Sequence, residues 1–167
     1  MPLVPTYSFQ PITLRVEFDL STAPPFMNTS TRNRQTGTIR RGRVLVVDDE
    51  AFEGKELART LIEHDVVAVG SAADALAVIA VGRPYDLVLC DVMLRDMTGV
   101  ELLSRLWRDH PDQAKRLVFM ARRQLSPVLQ YLLEGVSNLC IEMPFDIDGL
   151  RALIERRTRS FGSELLG

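Results

Sequence analysis

Two short stretches of this sequence place carboxylates at the ends of apolar runs. In RVLVVDDE, Val44 to Val47 are followed by Asp48, Asp49 and Glu50; in YDLVLCDVMLRDMTG, Leu87 to Cys90 are followed by the single Asp91. A continuous apolar run of this length reads as a strand buried on both faces, the pattern of parallel sheets. The acids then fall at C-terminal strand ends, where open α/β sheets hold their ligands. Carboxylates gathered in one place repel one another and take up protons unless a cation joins them. An all-oxygen donor set suits a hard ion such as Mg²⁺, which takes few protein ligands and shares the rest with water or phosphate. Asp48, Asp49 and Asp91 are therefore candidate ligands of one Mg²⁺ site.

Bringing these acids together requires neighbouring parallel strands, and the rest of the chain is built to supply them. After the first strand, Leu57, Ala58, Leu61 and Ile62 recur at helical spacing and predict a helix over 52–64. Val66 to Val69 is a second apolar strand. Ser71 with Asp74 is a cap signature for an Ala-rich helix over 72–81, which Gly82 and Pro84 stop. Thr98 with Glu101 caps a helix carrying Val100, Leu103, Leu106 and Trp107, and Pro111 marks its end. Leu117 to Met120 is a fourth strand. Ser126-Pro127 opens a fourth helix that Gly135 closes. Leu139 and Ile141 form a short fifth strand that admits Glu142, as an edge strand can, and Asp146 caps a fifth helix with Leu150, Leu153 and Ile154 inward. Five strand–helix units in strict alternation predict a doubly wound α/β fold with a parallel sheet.

The 167 residues allow one ordinary domain plus an extension. Residues 1–42 stand outside the alternation. From Ile12 to Leu20 apolar and polar residues alternate strictly, the period of a half-buried strand, while 21–41 has the composition of a disordered linker with arginines at 32, 34, 40 and 41. A formal charge of −2 argues against a nucleic-acid partner. No stretch approaches the roughly 20 apolar residues of a membrane span, and no secretory signal is evident, so a cytoplasmic protein is expected. Cys90 and Cys140 lie in strand-like runs and read as small buried hydrophobes; with His64 and His110 they show no zinc-ligand spacing.

The sequence of VLVVDDE, LVLCDVMLRDMTG and a late MPFD after a short strand resembles the receiver domain of two-component response regulators, over roughly residues 43–157. The order is similar in particular to the C-terminal receivers of hybrid histidine kinases. The resemblance implies a flavodoxin-like (βα)5 fold with strand order 2-1-3-4-5, a receiver over 43–160 and a tail over 161–167. It implies that Asp91 accepts a phosphoryl group from a histidine kinase or phosphotransfer protein. Asp48 and Asp49 match the acidic pair that holds Mg²⁺, and Met93 matches the residue whose backbone carbonyl completes the site. A downstream protein is then expected at the face of the fourth helix, fifth strand and fifth helix. Such a domain is a phosphoryl acceptor rather than an enzyme, with self-phosphorylation and slow self-dephosphorylation at most. Few residues follow the last predicted helix, so a single receiver without a DNA-binding output domain is expected.

Other phosphate chemistries fit the letters poorly. Asp48-Asp49-Glu50 would repel the phosphate of a flavin mononucleotide. A haloacid-dehalogenase-like phosphatase would show a second Asp where Met93 stands, and no GxxxxGK[ST] loop occurs.

The chain departs from the receiver pattern at its switch. The Ser or Thr expected at the end of the fourth strand is Ala121, and the Lys expected before the late Pro is Met143. The aromatic often found on the fifth strand corresponds to Cys140, and the Pro four residues beyond the acceptor to Arg95. A charge-assisted hydrogen bond to phosphate is worth about 1.5–3 kcal/mol, and the hydroxyl about 1 kcal/mol more. Arg122 and Arg95 are the cations that could replace part of the missing charge, and neither stands at the family's position. Two functions follow: a phosphoryl-accepting receiver in a phosphorelay, and a pseudo-receiver that binds a partner protein without phosphorylation.

Overall fold

A computed structural model describes residues 41–162. The predicted strand over 12–20, the linker up to residue 40 and residues 163–167 of the tail lie outside the described residues. Strands and helices alternate as β1 (Arg43–Val47), α1 (Ala51–Thr60), β2 (Asp65–Val69), α2 (Ala72–Val81), β3 (Leu87–Asp91), α3 (Gly99–Asp109), α4 (Pro111–Ala114), β4 (Leu117–Arg122), α5 (Pro127–Glu134), β5 (Cys140–Met143) and α6 (Ile147–Gly162). All pairings between the five strands are parallel and the strand order is β2-β1-β3-β4-β5, the expected doubly wound, flavodoxin-like arrangement. Among the described residues no helix is long and apolar enough to cross a membrane.

Helices α2, α3, α5 and α6 begin at side-chain caps. Ser71 accepts a hydrogen bond from the Asp74 amide at the start of α2, and Thr98 and Glu101 form a reciprocal capping box at α3. Ser126 caps α5 with Pro127 in the first turn, and Asp146 Oδ2 accepts from the Gly149 amide at α6. Strand β4 runs on to Arg122 and β5 begins at Cys140, each within two residues of expectation, and two helix boundaries differ for physical reasons. The first helix ends at Thr60, not His64, because His64 turns inward and its Nδ1 accepts from the Gly42 amide at 3.3 Å. Pro111 opens the one-turn α4 instead of merely ending α3, since proline is tolerated at a first helical position. Gln113 of α4 is buried there, its Oε1 accepting from the Tyr85 amide at 3.0 Å. The predicted fourth and fifth helices are therefore α5 and α6.

The sheet separates two apolar layers, and the period of two along each strand decides which residue enters which. Leu45, Val47, Val88, Cys90, Phe119 and Ala121 pack with α2 and α3. Val44, Val46, Leu87, Leu89, Val118 and Met120 pack with Leu57 and Leu61 on the α1 side and with Leu150 and Ile154 of α6. The central strands are buried on both faces, which is why they read as unbroken apolar runs.

One glycine ties this packing to the sheet edge. A Cβ at Gly99 would stand 2.7 Å from the Asp91 carbonyl oxygen and 3.2 Å from both Cys90 Sγ and Phe119 Cε1. The Gly99 amide also donates to the Val92 carbonyl at 2.9 Å, so α3 cannot withdraw without breaking that bond. Gly99→Ala is expected to cost about 1–3 kcal/mol through overpacking. Its urea midpoint should fall at unchanged slope; an unmoved midpoint would show that α3 slides freely over β3.

Candidate acidic site

Pairing of β1 with β3 sets Val47 beside Cys90, so the next residues, Asp48 and Asp91, emerge level at the C-terminal edge. Asp49 joins them: one carboxylate oxygen from each of Asp48, Asp49 and Asp91 lies within 4.8 Å of the others. The convergence expected from the sequence is thus present in the fold. Asp48 and Asp91 are buried, at 5% and 4% exposure, and Asp49 is half-buried. Each buried acid is oriented by its own loop. Asp48 Oδ1 accepts from the Glu50 amide at 2.8 Å, and Asp91 Oδ1 accepts from the Met93 amide at 2.8 Å.

These surroundings are hostile to negative charge. Burial pushes the Asp91 carboxyl up to about 6, with Asp48 and Asp49 adding to the rise while the Met93 amide and Arg122 oppose it. Burial likewise raises Asp48, assisted by Glu53 and Asp49 and opposed by the Glu50 amide and Arg122. A divalent cation would relieve both buried acids at once, and an all-carboxylate donor set matches Mg²⁺ chemistry. The cysteines take no part in such a site. The Cys90 thiol is buried and raised by desolvation, and burial pushes Cys140 up to about 11, so both stay protonated.

The remaining candidate positions separate into distinct places. Met93 is 54% exposed; its amide orients Asp91 and its backbone bridges Thr98. Ala121 is buried toward the α2–α3 layer, and Cys140 is half-buried against the same layer. Met143 ends β5 on the opposite side. There it lines an open cleft of about 450 Å³ together with Asp48, Leu57, Met120, Arg122 and Phe145. Arg95 pairs with Asp49 at 3.2 Å and Arg122 with Glu53 at 3.2 Å, so both arginines border the acidic site.

Sequence reasoning missed two contributors. Asp96, in the loop after β3, accepts from the Ala72 amide at 3.2 Å and the Ala73 amide at 2.9 Å, latching that loop onto the start of α2. Desolvation works against its charge, but the amides of Ala73 and Ala72 prevail and hold the Asp96 carboxyl below its ordinary value. Glu53 was visible only as a residue of the first helix; its partner is 69 residues away, a separation that no local pattern reveals.

Comparison with known proteins agrees with this fold. A family model described as the response regulator receiver domain matches residues 44–155. The transcriptional regulatory protein TcrA of Mycobacterium tuberculosis is 33% identical over 128 residues, covering 75% of this chain and 49% of its own length. A protein-glutamate methylesterase/protein-glutamine glutaminase of Geobacillus kaustophilus is 45% identical over 73 residues, 41% of this chain and 21% of that protein. The chain thus spans half or less of the length of these two curated relatives. Among solved structures, the chemotaxis response regulator CheY4 of Vibrio cholerae superposes with a TM-score of 0.58 at 22% identity, over 70% of this chain and 98% of that one. NtrX from Brucella abortus, solved in complex with ATP, superposes with a TM-score of 0.61 at 27% identity, over 74% of this chain and 29% of that one. With a matched span that runs from β1 into α6 and a sheet of the same order, the chain belongs to the response regulator receiver domain family of two-component signalling.

Proposed function

We propose that this receiver accepts a phosphoryl group on Asp91, with Mg²⁺ held by Asp48, Asp49, Asp91 and the Met93 carbonyl. The observation that carries the reading is the meeting of the three carboxylates within 4.8 Å, two of them buried. Desolvation makes Asp91 a poorly satisfied anion, and the Met93 amide fixes one of its oxygens while leaving the other to react. That oxygen forms a bond to phosphorus as the donor's P–N bond, in a phosphohistidine, or its P–O bond, in an acyl phosphate, breaks. The departing group keeps the electron pair. Mg²⁺, when bound, neutralises charge on the transferring oxygens.

The partners on this reading are a cytoplasmic histidine kinase or phosphotransfer protein upstream and a protein downstream. The face of α5, β5 and α6 suits the downstream partner, because Val128 and Tyr131 of α5 stand 68% and 76% exposed. The domain acts as an acceptor, with the receiver spanning residues 43–160. A second reading, the phosphorylation-independent pseudo-receiver, is favoured by Ala121 and Met143, which bring neither hydroxyl nor ammonium to the site.

Titration with Mg²⁺ tests the first reading directly. Amide resonances of Asp48, Asp49 and Met93 should shift at millimolar Mg²⁺, and Asp49→Ala should weaken binding by at least about tenfold. Resonances unmoved by millimolar Mg²⁺ would sink the metal site and the chemistry that depends on it.

A further inference from the structure

We propose that Arg122 is the cation that meets the phosphoryl group on Asp91, and that Glu53 of α1 holds it in reserve until then. The inference rests on Asp91 being the acceptor. Its first ground is position. Met120 pairs with Asp91 across β3 and β4, and Arg122 stands two residues further along the same strand. At a rise of about 3.3 Å per residue and a strand spacing of about 4.8 Å, its Cα lies about 8 Å from that of Asp91. A guanidinium on a three-methylene stem spans that gap. Arg122 is also level with Met143 in the next strand. The cation absent at Met143 is thus supplied one strand nearer to Asp91, at the same height.

The second ground is direction. Arg122 has the same strand parity as Met120, so it leaves the sheet on the α1–α6 side, and it lines the cleft that also contains Asp48 and Met143. Its charge already acts on both Asp48 and Asp91. Ala121, one residue earlier, faces the opposite layer.

The third ground is the strength of the tether. Arg122 Nη2 and Glu53 Oε2 are 3.2 Å apart with side chains 53% and 44% exposed, so solvent screens the pairing and it is weak. A phosphoryl group carries more charge and accepts bidentate hydrogen bonds from a guanidinium, so it outcompetes the single carboxylate. Arg95 is the weaker candidate, since it is bound to Asp49, an acid that the cation site itself needs.

The test compares rates of Asp91 labelling by acetyl phosphate at fixed Mg²⁺ for five full-length proteins: wild type, Arg122→Ala, Arg122→Lys, Arg123→Ala, and Arg122→Ala with Met143→Lys. Arg122→Ala should be slower by about tenfold or more, Arg122→Lys intermediate, and the double variant restored to within a few-fold of wild type. Arg123 pairs with Glu142 at 2.9 Å outside the acidic site, and its removal should leave the rate unchanged. Beryllofluoride, a phosphoryl mimic, should shift the Glu53 amide in wild type but not in Arg122→Ala. A structural role for Arg122 would not give rescue from position 143. If Arg122→Ala is labelled at the wild-type rate with its Mg²⁺ titration unaltered, the inference is overturned while Asp91 remains the acceptor. If wild type itself gains no phosphoryl group, the acceptor reading fails and the role of Arg122 falls with it.

Discussion

Incubated with Mg²⁺ and a small acyl phosphate, this protein is expected to gain the mass of one phosphoryl group, and Asp91→Asn is expected to gain none. The effect is all or nothing because an amide cannot replace the attacking carboxylate. The substitution is a fair control: Asn keeps the shape of Asp, and its side-chain oxygen can still accept from the Met93 amide. The wild-type reaction should nevertheless be slow. Ala121 offers no hydroxyl, Met143 brings a thioether where the family pattern has an ammonium, and Arg122 must first leave Glu53 to meet the phosphoryl group. Restoring both groups, as Ala121→Thr with Met143→Lys, is expected to raise the rate several-fold. The new ammonium would enter the cleft beside Asp48, Glu53 and Glu56, so it would not be left as an unpaired buried charge. A wild type that stays unmodified even with its own kinase, yet still binds its partner, would establish the pseudo-receiver instead.

What the sequence disclosed about this site depended on how local the determinants are. Strands β1 and β3 were legible because both faces are buried, leaving apolar runs that stop at an acid. Helix α2 was placed to the residue, since Ser71 and Gly82 sit at its two boundaries. The meeting of Asp48 with Asp91 followed from strand order alone, given that β1 and β3 are neighbours. Contacts made across the fold carried no such signal. The Asp96 latch joins loops 24 residues apart, and Arg122 reaches Glu53 over 69. Periodicity also could not foresee that His64 turns under Gly42, which shortens α1, because one inward histidine does not disturb the apolar spacing.

Removing the charge of Asp91 is expected to stabilise the metal-free protein at neutral pH. Burial raises this carboxyl from 3.8 to about 6 in the fold, whereas in the unfolded chain it titrates at its ordinary value of about 3.9. A group whose folded pKa is raised contributes stability below its unfolded pKa and loses it as pH rises through the folded value. The window here therefore runs from about pH 4 to just above 6. At about 1.4 kcal/mol per pH unit, the cost of ionising Asp91 within the fold approaches 3 kcal/mol near pH 7.5. Asparagine does not pass through that window. Urea unfolding in EDTA should accordingly place Asp91→Asn above wild type by up to about 3 kcal/mol near pH 7.5, with the difference fading toward pH 4. His64 titrates in the opposite sense, because burial lowers it, but it is common to both proteins and cancels in the comparison. Added Mg²⁺ should reverse the order, stabilising wild type by mass action and the variant less, since the variant has lost a ligand. An Asp91→Asn variant that is weaker than wild type in EDTA near pH 7.5 would mean that the apo fold already compensates this charge. The acidic pocket would then hold no electrostatic stress for a metal to relieve.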